Sequence, residues 1–206
     1  LGINWIDTAP VYGFGQSETT VGKAIRGIRK NVYIATKCGL LDDGKGGIKS
    51  CLRKKSIQQE LDGSLKRLGV DEIDLYQIHW PNPEEEIEEA WDTLLRAIKA
   101  GKVRFAGVCN FSPKQMNRLM QLSPITSLQA PYSLLNRRVE DENLSFASSH
   151  QIGVIPYSPM ACGMLTGKVT KAWMEKLATD DFRKTHSPYF KEPELAANME
   201  FVSNVL

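Results

Sequence analysis

Four residues in the first half of the chain, Asp7, Tyr12, Lys37 and His79, could together move a proton onto a carbonyl oxygen. A free tyrosine is a poor proton donor near neutral pH because its pKa is about 10. An ammonium group beside a phenol lowers that pKa, and a carboxylate beside the ammonium keeps it oriented and charged. A neutral imidazole could hydrogen-bond the carbonyl oxygen and orient it for attack. The residue types therefore predict a proton relay in which Asp7 and Lys37 tune Tyr12.

Each of the four residues also has an ordinary structural explanation. Asp7, just before a proline-containing turn, could organise that turn, and Lys37 could reach into solvent. Tyr12 could pack within its loop, and a lone histidine such as His79 is more often a satisfied buried side chain. Taken singly, these explanations are the better ones. Four such residues at the same end of successive strands favour the chemical interpretation.

Six short apolar runs are the elements that must position these side chains. Each run ends on a polar or titratable residue, and most of these ends are separated by roughly 30 residues, as a repeated strand-helix unit requires. Such repeats predict an α/β fold, a (β/α)8 TIM barrel, in which the carboxyl ends of the strands converge on one mouth. The runs are residues 3–7, 32–37, 75–79, 103–110, 127–129 and 154–157.

The segments between the runs have helical periodicity. The apolar spacing i, i+3, i+4, i+7 predicts helices with one buried face. We expect the third helix to end at Gly101, and a fourth to begin at Ser112, a hydroxyl N-cap followed by Pro113. The apolar stripes are Val21, Ala24, Ile25 and Ile28, then Ile57, Leu61, Leu65 and Leu68, then Ile87, Ala90, Trp91, Leu94, Leu95 and Ile98.

The length is short for a complete barrel. A barrel of eight units typically needs about 250 residues, whereas this chain has 206. The sequence therefore predicts a single partial barrel domain over residues 1–206, with about six of eight strand-helix units present. The first and last strand units are expected to be missing, which suggests a fragment truncated at both ends.

Composition excludes several classes of function. The net charge is only +2, with 42% hydrophobic and 24% charged residues, so nothing indicates a nucleic-acid partner. No apolar stretch approaches the roughly 20 residues of a membrane span. The four cysteines form no CxxC pair, which favours reduced thiols in a cytoplasmic protein over disulfides or a zinc site, and no metal is predicted.

The strand-end residues lie within motifs that resemble those of the aldo-keto reductase family, general bacterial type, from residue 1 to at least residue 168. The resemblance implies a barrel that binds NADPH across its strand ends, without a Rossmann domain, and reduces the carbonyl of a small aldehyde or ketone. It places the catalytic four on Asp7, Tyr12, Lys37 and His79, with Tyr12 as the general acid. The motifs are Ile6-Asp7-Thr8-Ala9, Tyr12-Gly13, Ser17-Glu18, Ala35-Thr36-Lys37 and Asp74-Leu75-Tyr76-Gln77-Ile78-His79.

The same resemblance implies the cofactor contacts. Asn110 and Gln129 match residues that bind the nicotinamide carboxamide, and Tyr157 matches the aromatic residue on which the ring stacks. The segment after Tyr157 is similar to the loop beside the pyrophosphate, although a strand-to-helix loop without a ligand is the alternative. The residues assigned to cofactor binding in that segment are Ser158, Pro159, Met160, Gly163, Leu165 and Lys168.

Some positions depart from the family pattern or leave it open. Cys109 stands where the family usually has Ser, which is a stronger hydrogen-bond partner. The family's residues for the 2′-phosphate fall beyond residue 206, so NADPH is inferred from the family and NADH stays open. We expect residues 39–55, Trp80 and Phe14 to determine substrate preference. The two aromatic residues could equally be packing residues.

Two other functions remain open. A cofactor-binding regulatory subunit that resembles the potassium-channel β subunits would share the fold and a similar Ala161-Cys162-Gly163 loop. That group typically lacks the catalytic histidine, so His79 favours an enzyme. The third possibility is an inactive fragment that retains the motifs.

Overall fold

The computed structural model describes residues 2–205, whose contacts divide into two compact units. The first unit extends to Ala130 and adds Glu142–Ile155. The second takes Pro131–Asp141 and the residues that follow Ile155. A single domain over residues 1–206 stays a prediction, and its two end residues, Leu1 and Leu206, lie outside the described residues.

The main sheet has six strands within the described residues, in the order β1-β2-β5-β6-β7-β8. The registered pairs from β1 to β7 are all parallel, and a separate antiparallel pair joins β3 to β4. The six predicted runs match these strands to within about two residues at each end, which is the usual uncertainty of element boundaries. The strands are β1 (Trp5–Asp7), β2 (Tyr33–Cys38), β3 (Leu40–Asp42), β4 (Ile48–Ser50), β5 (Ile73–Ile78), β6 (Val103–Cys109), β7 (Ser127–Pro131) and β8 (Gly153–Tyr157).

Helices separate most of the strands of the main sheet, as the strand-helix repeat predicts. Short 3-10 turns occur at Arg29–Asn31, Glu84–Glu86, Arg138–Glu140, Ala161–Thr166 and Pro188–Phe190. The α-helices are α1 (Gln16–Ala24), α2 (Lys54–Leu68), α3 (Ile87–Lys99), α4 (Pro113–Met120), α5 (Asn143–Ser149), α6 (Lys171–Glu175), α7 (Phe182–Thr185) and α8 (Glu194–Val205).

Local sequence explains where several helices begin and end. Ser112 and Gln115 form the reciprocal capping box of α4, which confirms the predicted N-cap. Gly101, at φ +71°, follows the end of α3 as expected. Helix α1 is shorter than its apolar stripe, because the chain turns through Gly27 at φ +81° and leaves Ile28 exposed.

The antiparallel pair β3–β4 was not predicted as strands. It lies within residues 39–55, which the sequence indicated only as a substrate loop. Each strand has three residues, too few for alternation to be recognised. Gly39 enters the pair at φ +93°, which a side chain would strain, and Gly44 and Gly46 also have positive φ in its turn.

The core of the first unit lies between the sheet and its helices. Trp91 on α3, Tyr76 on β5 and Ile34 on β2 are all fully buried. Replacing a buried aromatic residue of this kind with alanine typically costs about 3–5 kcal/mol. The core therefore fixes the strands whose carboxyl ends bear the predicted site. Among residues 2–205, no helix combines the length and apolar character needed to cross a membrane.

Candidate active site

An ion pair between a buried lysine and a partly exposed aspartate joins the carboxyl ends of β1 and β2. Lys37 Nζ donates to Asp7 Oδ1 at 2.6 Å, and the lysine is fully buried. The same ammonium donates to the backbone carbonyl of Thr8 at 2.9 Å and approaches Tyr12 Oη at 3.5 Å. An ammonium group has three donors, so these contacts occupy all of them. The geometry fixes the position of the positive charge.

Tyr12 lies in the loop between β1 and α1 and remains 42% exposed. Its backbone N–H donates to the carbonyl of Ala9 at 3.1 Å, which holds the turn that carries it. Lys37 Nζ lies 5.1 Å from the centre of the Tyr12 ring. The ring of His79 meets the Tyr12 ring edge-on, with centroids 5.8 Å apart. The phenol is therefore placed beside a fixed cation and an imidazole while it stays open to a ligand.

His79 follows the last residue of β5 and is held by its backbone N–H, which donates to the carbonyl of Cys38 at 3.0 Å. Burial, together with the positive charge of Lys37, lowers the pKa of His79 to about 4. The imidazole is therefore neutral at physiological pH. A neutral ring offers one N–H donor and one acceptor nitrogen.

Asn110 and Gln129 lie at the ends of β6 and β7 in the same unit. Asn110 Nδ2 donates to the carbonyl of His79 at 3.1 Å, and its backbone N–H donates to the carbonyl of Gln129 at 2.9 Å. Gln129 Nε2 donates to Asp7 Oδ2 at 2.9 Å. The structure thus brings both amides into the hydrogen-bond network of the strand ends.

Cys109, the departure from the family pattern, also takes part in this network. Its Sγ lies 3.7 Å from Gln129 Oε1. Burial raises the pKa of the Cys109 thiol to about 12, although the Lys37 charge acts in the opposite direction. The thiol therefore keeps its proton and serves as a weak donor.

The two aromatic residues assigned to the substrate lie on the surface of the first unit. Trp80 is 44% exposed and follows His79 directly, and Phe14 is 51% exposed. Phe14 has φ +49°, a conformation that is uncommon for a bulky residue. Neither ring is fully occupied by packing, so both leave apolar surface for a ligand.

The remaining predicted residues, from Tyr157 to Lys168, lie in the second unit. The carbonyl of Tyr157 accepts from the backbone N–H of Tyr132 at 3.2 Å. After it the chain has positive φ at Ser158, Cys162 and Gly163, among others. Within this turn the backbone N–H groups of Ala161 and Gly163 donate to the carbonyls of Ser158 and Met160, at 2.9 Å each. The other assigned residues are Pro159, Met160, Leu165 and Lys168, of which Pro159, Met160 and Lys168 are exposed.

Sequence reasoning missed a buried carboxyl group on α2, next to the start of the β3–β4 pair. Glu60 on α2 accepts from the backbone N–H of Gly39 at 2.9 Å and from Ser56 Oγ at 3.2 Å. Burial raises the pKa of Glu60 to about 7. The available signal was its position beside Ile57 and Leu61, because a carboxyl group on the apolar stripe of a helix must be buried.

Glu18 is a further buried carboxylate that fixes the loop carrying Tyr12 to the neighbouring elements. It accepts from Thr36 Oγ1 at 2.6 Å and from Arg67 Nε at 2.7 Å. Within residues 2–205, no group of three or more His, Cys, Asp or Glu side chains is arranged to hold a metal ion.

Known proteins resemble this chain in sequence. A profile described as "Aldo/keto reductase family" matches residues 1–203. The chain is 40% identical over 206 residues to "Aldo-keto reductase YhdN" from Bacillus subtilis, with 99% of this chain and 61% of that protein covered. It is 36% identical over 186 residues to "NADH-specific methylglyoxal reductase" from Escherichia coli, with 84% and 57% covered. The chain thus spans less than two thirds of these relatives.

Solved structures confirm the predicted fold class. A glycerol dehydrogenase from Gluconobacter oxydans, AKR11B4, superposes with a TM-score of 0.89 at 37% identity, over 98% of this chain and 62% of that one. An aldo/keto reductase from Klebsiella pneumoniae, solved in complex with NADP and acetate, gives 0.69 at 26% identity, over 85% and 58%. The six strands of the main sheet and their helices therefore represent part of a (β/α)8 barrel.

Proposed function

The chain belongs to the aldo/keto reductase family, and from this premise we propose that the protein reduces aldehydes or ketones to alcohols with NADPH as hydride donor. One observation supports this function above the others. Lys37 Nζ is bound to Asp7 at 2.6 Å and faces the Tyr12 hydroxyl at 3.5 Å. A phenol beside a fixed cation is what a tyrosine needs to act as an acid near neutral pH.

Tyr12 is the proposed general acid. When bound, the nicotinamide supplies the hydride that adds to the carbonyl carbon. The Tyr12 hydroxyl gives its proton to the carbonyl oxygen, so that the C=O double bond becomes a C–O single bond with a new O–H bond. The ammonium of Lys37 stabilises the phenolate that remains, and Asp7 keeps this ammonium in place. Solvent then returns a proton to Tyr12.

His79 is proposed to orient the carbonyl group. Its pKa of about 4 keeps the ring neutral, so it donates one N–H to the carbonyl oxygen without competing with Tyr12 as an acid. The edge-on contact between the two rings supports this arrangement, because it keeps their centroids 5.8 Å apart. Trp80 and Phe14 are proposed to provide apolar contacts to the substrate.

The residues present fit a nicotinamide nucleotide. A carboxamide has one acceptor and two donor hydrogens, and the side-chain amides of Asn110 and Gln129 have the same groups to complement it. Gln129 is buried at the strand ends beside Asp7, where a polar ligand group would find partners. Tyr157 offers a ring for stacking, and we propose it for that role.

The loop from Ser158 to Lys168 is proposed to bind the pyrophosphate. Lys168 adds a positive charge to a turn with positive φ at Ala161, Cys162 and Gly163, and Gly163 has no side chain to keep a ligand away from the backbone. Ser158, Pro159, Met160 and Leu165 are proposed to line this part of the site, with small or apolar surfaces beside the backbone donors.

NADPH is proposed over NADH, and the comparisons offer support for each. Klebsiella pneumoniae aldo/keto reductase was solved with NADP, whereas the Escherichia coli relative is named as NADH-specific. We also propose that residues 1–206 belong to a single barrel domain. The cytoplasm is the proposed compartment, because the four cysteines are free and a reducing environment preserves thiols.

The proposal is tested with the full-length protein by following nucleotide oxidation with a panel of small aldehydes and ketones. Turnover with NADPH and a lower Kd for NADPH than for NADH are the expected results. Tight nucleotide binding without turnover of any carbonyl would overturn the enzymatic proposal and favour the regulatory-subunit alternative. Turnover with NADH alone would overturn the cofactor proposal and leave the reductase assignment intact.

A further inference from the structure

Gln129 makes a contact that the proposed roles do not use. Its Nε2 donates to Asp7 Oδ2 at 2.9 Å, while Lys37 Nζ donates to Asp7 Oδ1 at 2.6 Å. Both oxygens of the Asp7 carboxylate are therefore bonded, one to a charged donor and one to a neutral donor. Gln129 is only 6% exposed, so water competes little for its amide.

The orientation of the Gln129 amide follows from its neighbours. Asp7, as a carboxylate, accepts hydrogen bonds only, so it requires the NH2 group of the amide. On the opposite side, Cys109 Sγ lies 3.7 Å from Gln129 Oε1. Because burial raises the pKa of Cys109 to about 12, the thiol is a donor and requires the amide oxygen. Both neighbours select the same orientation.

The contact also connects strands that are not adjacent. Gln129 and Asp7 are 122 residues apart in sequence, on β7 and β1. Three strands, β2, β5 and β6, lie between β1 and β7 in the sheet. From β1 to β7 each pair of neighbouring strands is held by its own backbone ladder, whereas this bond joins β1 to β7 through side chains. It is therefore placed to fix Asp7 relative to the rest of the strand ends.

We propose that Gln129 is a positioning residue of the relay, which acts through Asp7 on Lys37 and Tyr12. This inference rests on the proposed reductase function. By bonding Oδ2, the amide fixes the plane of the Asp7 carboxylate, so Oδ1 stays directed at the Lys37 ammonium. The buried thiol of Cys109 supports Gln129 from behind. The same amide is proposed for the nicotinamide carboxamide, so cofactor binding and the geometry of the relay depend on one side chain.

The first test compares Gln129→Met with Gln77→Met in the full-length protein. Gln77 is a suitable control, because it is a fully buried glutamine on β5 whose amide bonds Ser127 at 3.4 Å rather than Asp7. Loss of a hydrogen bond to a charged group is expected to lower kcat about 10-fold in Gln129→Met, with a smaller effect in Gln77→Met. A rise in the KM for NADPH with unchanged kcat would overturn the proposal and leave only a cofactor contact.

A double-mutant cycle examines whether Gln129 acts through Asp7. If it does, Gln129→Met costs much less in the Asp7→Asn background than in the wild type, a coupling that residues in contact typically show. Equal losses in both backgrounds would contradict a role that passes through Asp7. Gln129→Glu adds a further readout: kcat is expected to recover partly as pH falls, because the introduced carboxyl then carries a proton that it can donate to Asp7.

A readout without turnover separates this inference from the proposed function. In the nucleotide-free protein, the side-chain NH2 protons of Gln129 are expected to exchange slowly in NMR spectra, and to exchange faster in Asp7→Ala. Gln77 provides the internal reference, since its amide should not respond to that substitution. Exchange at Gln129 that is unchanged in Asp7→Ala would overturn the positioning role even if the protein proves to be a reductase. The expected exchange pattern in a protein that reduces no carbonyl would instead overturn the proposed function alone.

Discussion

Two lysine-aspartate pairs of almost equal length serve different purposes in the first unit. Lys37 and Asp7 are 2.6 Å apart at the strand ends, and the lysine side chain is 1% exposed. Lys102 and Asp62 are 2.7 Å apart on the surface, with both side chains about half exposed or more. Water reaches both side chains of the second pair, whereas in the first pair it reaches only Asp7, which is 31% exposed, so the charge of Lys37 is screened less. Burial, rather than distance, distinguishes a pair that can do chemistry.

The largest effect is expected when each lysine is replaced by methionine. Lys37→Met removes the cation beside Tyr12 and leaves Asp7 without its charged partner, so activity is expected to fall about 1000-fold and stability by about 2 kcal/mol. Lys102→Met should leave kcat unchanged and cost less than about 1 kcal/mol. Steady-state kinetics and urea unfolding measure both. Similar losses in the two variants would show that burial does not separate the pairs.

A second comparison concerns two carboxyl groups that respond to pH in opposite directions. The pKa of Glu60 is raised from 4.5 to about 7 by burial, so its protonated form stabilises the fold fully below about pH 4.5, and this contribution is lost as pH rises through 7. The hydrogen bond from Arg53 lowers the pKa of Glu86, so the stability that ionised Glu86 contributes is lost as pH falls. Because of Glu60, the free energy of unfolding of the wild type is expected to fall by up to about 3 kcal/mol between pH 5 and pH 8. Glu60→Gln should not show this fall.

Urea unfolding across that pH range measures the effect, with Glu86→Gln as the matched control. His79 contributes in the opposite sense at lower pH. Its folded pKa of about 4 lies below its usual 6.5, so stability falls as pH decreases from 6.5 to 4. Because wild type and Glu60→Gln share the His79 contribution, the Glu60 effect is read as the difference in stability between the two proteins at each pH. An unchanged slope in Glu60→Gln would mean that this carboxyl is ionised throughout.

The histidines provide a third contrast between a buried and an exposed side chain. His79→Gln removes the proposed neutral donor to the carbonyl oxygen, and kcat is expected to fall about 100-fold, the usual cost of losing one such donor. His150 is exposed, so His150→Gln should have no effect. Because His79 is neutral above about pH 5, its own titration should be absent from the wild-type kcat profile between pH 5 and pH 8. A step near pH 6.5 that disappears in His79→Gln would contradict this.

The smallest effect concerns backbone conformation in the proposed pyrophosphate loop. Gly163 at φ +98° and Gly101 at φ +71° both have free space where a side chain would begin. Alanine at either position therefore introduces similar backbone strain of about 1–2 kcal/mol. Gly163→Ala is expected to weaken NADPH binding about 10-fold with kcat unchanged, whereas Gly101→Ala should not alter the Kd. Calorimetric titration measures the Kd for NADPH of both variants. Equal Kd values would contradict a role for this loop in cofactor binding.

Sequence predicted the elements and the relay because both depend on local patterns. Each strand end is marked by a polar residue after an apolar run, and parallel strands bring their carboxyl ends to one edge. Asp7, Lys37 and His79 could therefore be grouped before any contact was known. The N-cap of α4 was predicted for the same reason, since Ser112 and Pro113 are adjacent in the sequence.

Contacts that depend on the detailed packing of distant segments could not be predicted. The bond between Gln129 and Asp7 joins residues 122 positions apart, and no local pattern records which amide group faces the carboxylate. The raised pKa of Glu60 depends on how deeply α2 packs against the entry to β3. The pair β3–β4 is too short for its alternation to differ from that of an ordinary loop.

The central claim is that Tyr12 supplies the proton during carbonyl reduction, and Tyr12→Phe tests it most directly. This change removes only the hydroxyl and keeps the ring that meets His79. The measurement is the single-turnover rate of aldehyde reduction by the NADPH-saturated protein, together with the Kd for NADPH. The account predicts a rate about 1000-fold lower with Kd within about twofold of wild type. A rate within about threefold of wild type would contradict it.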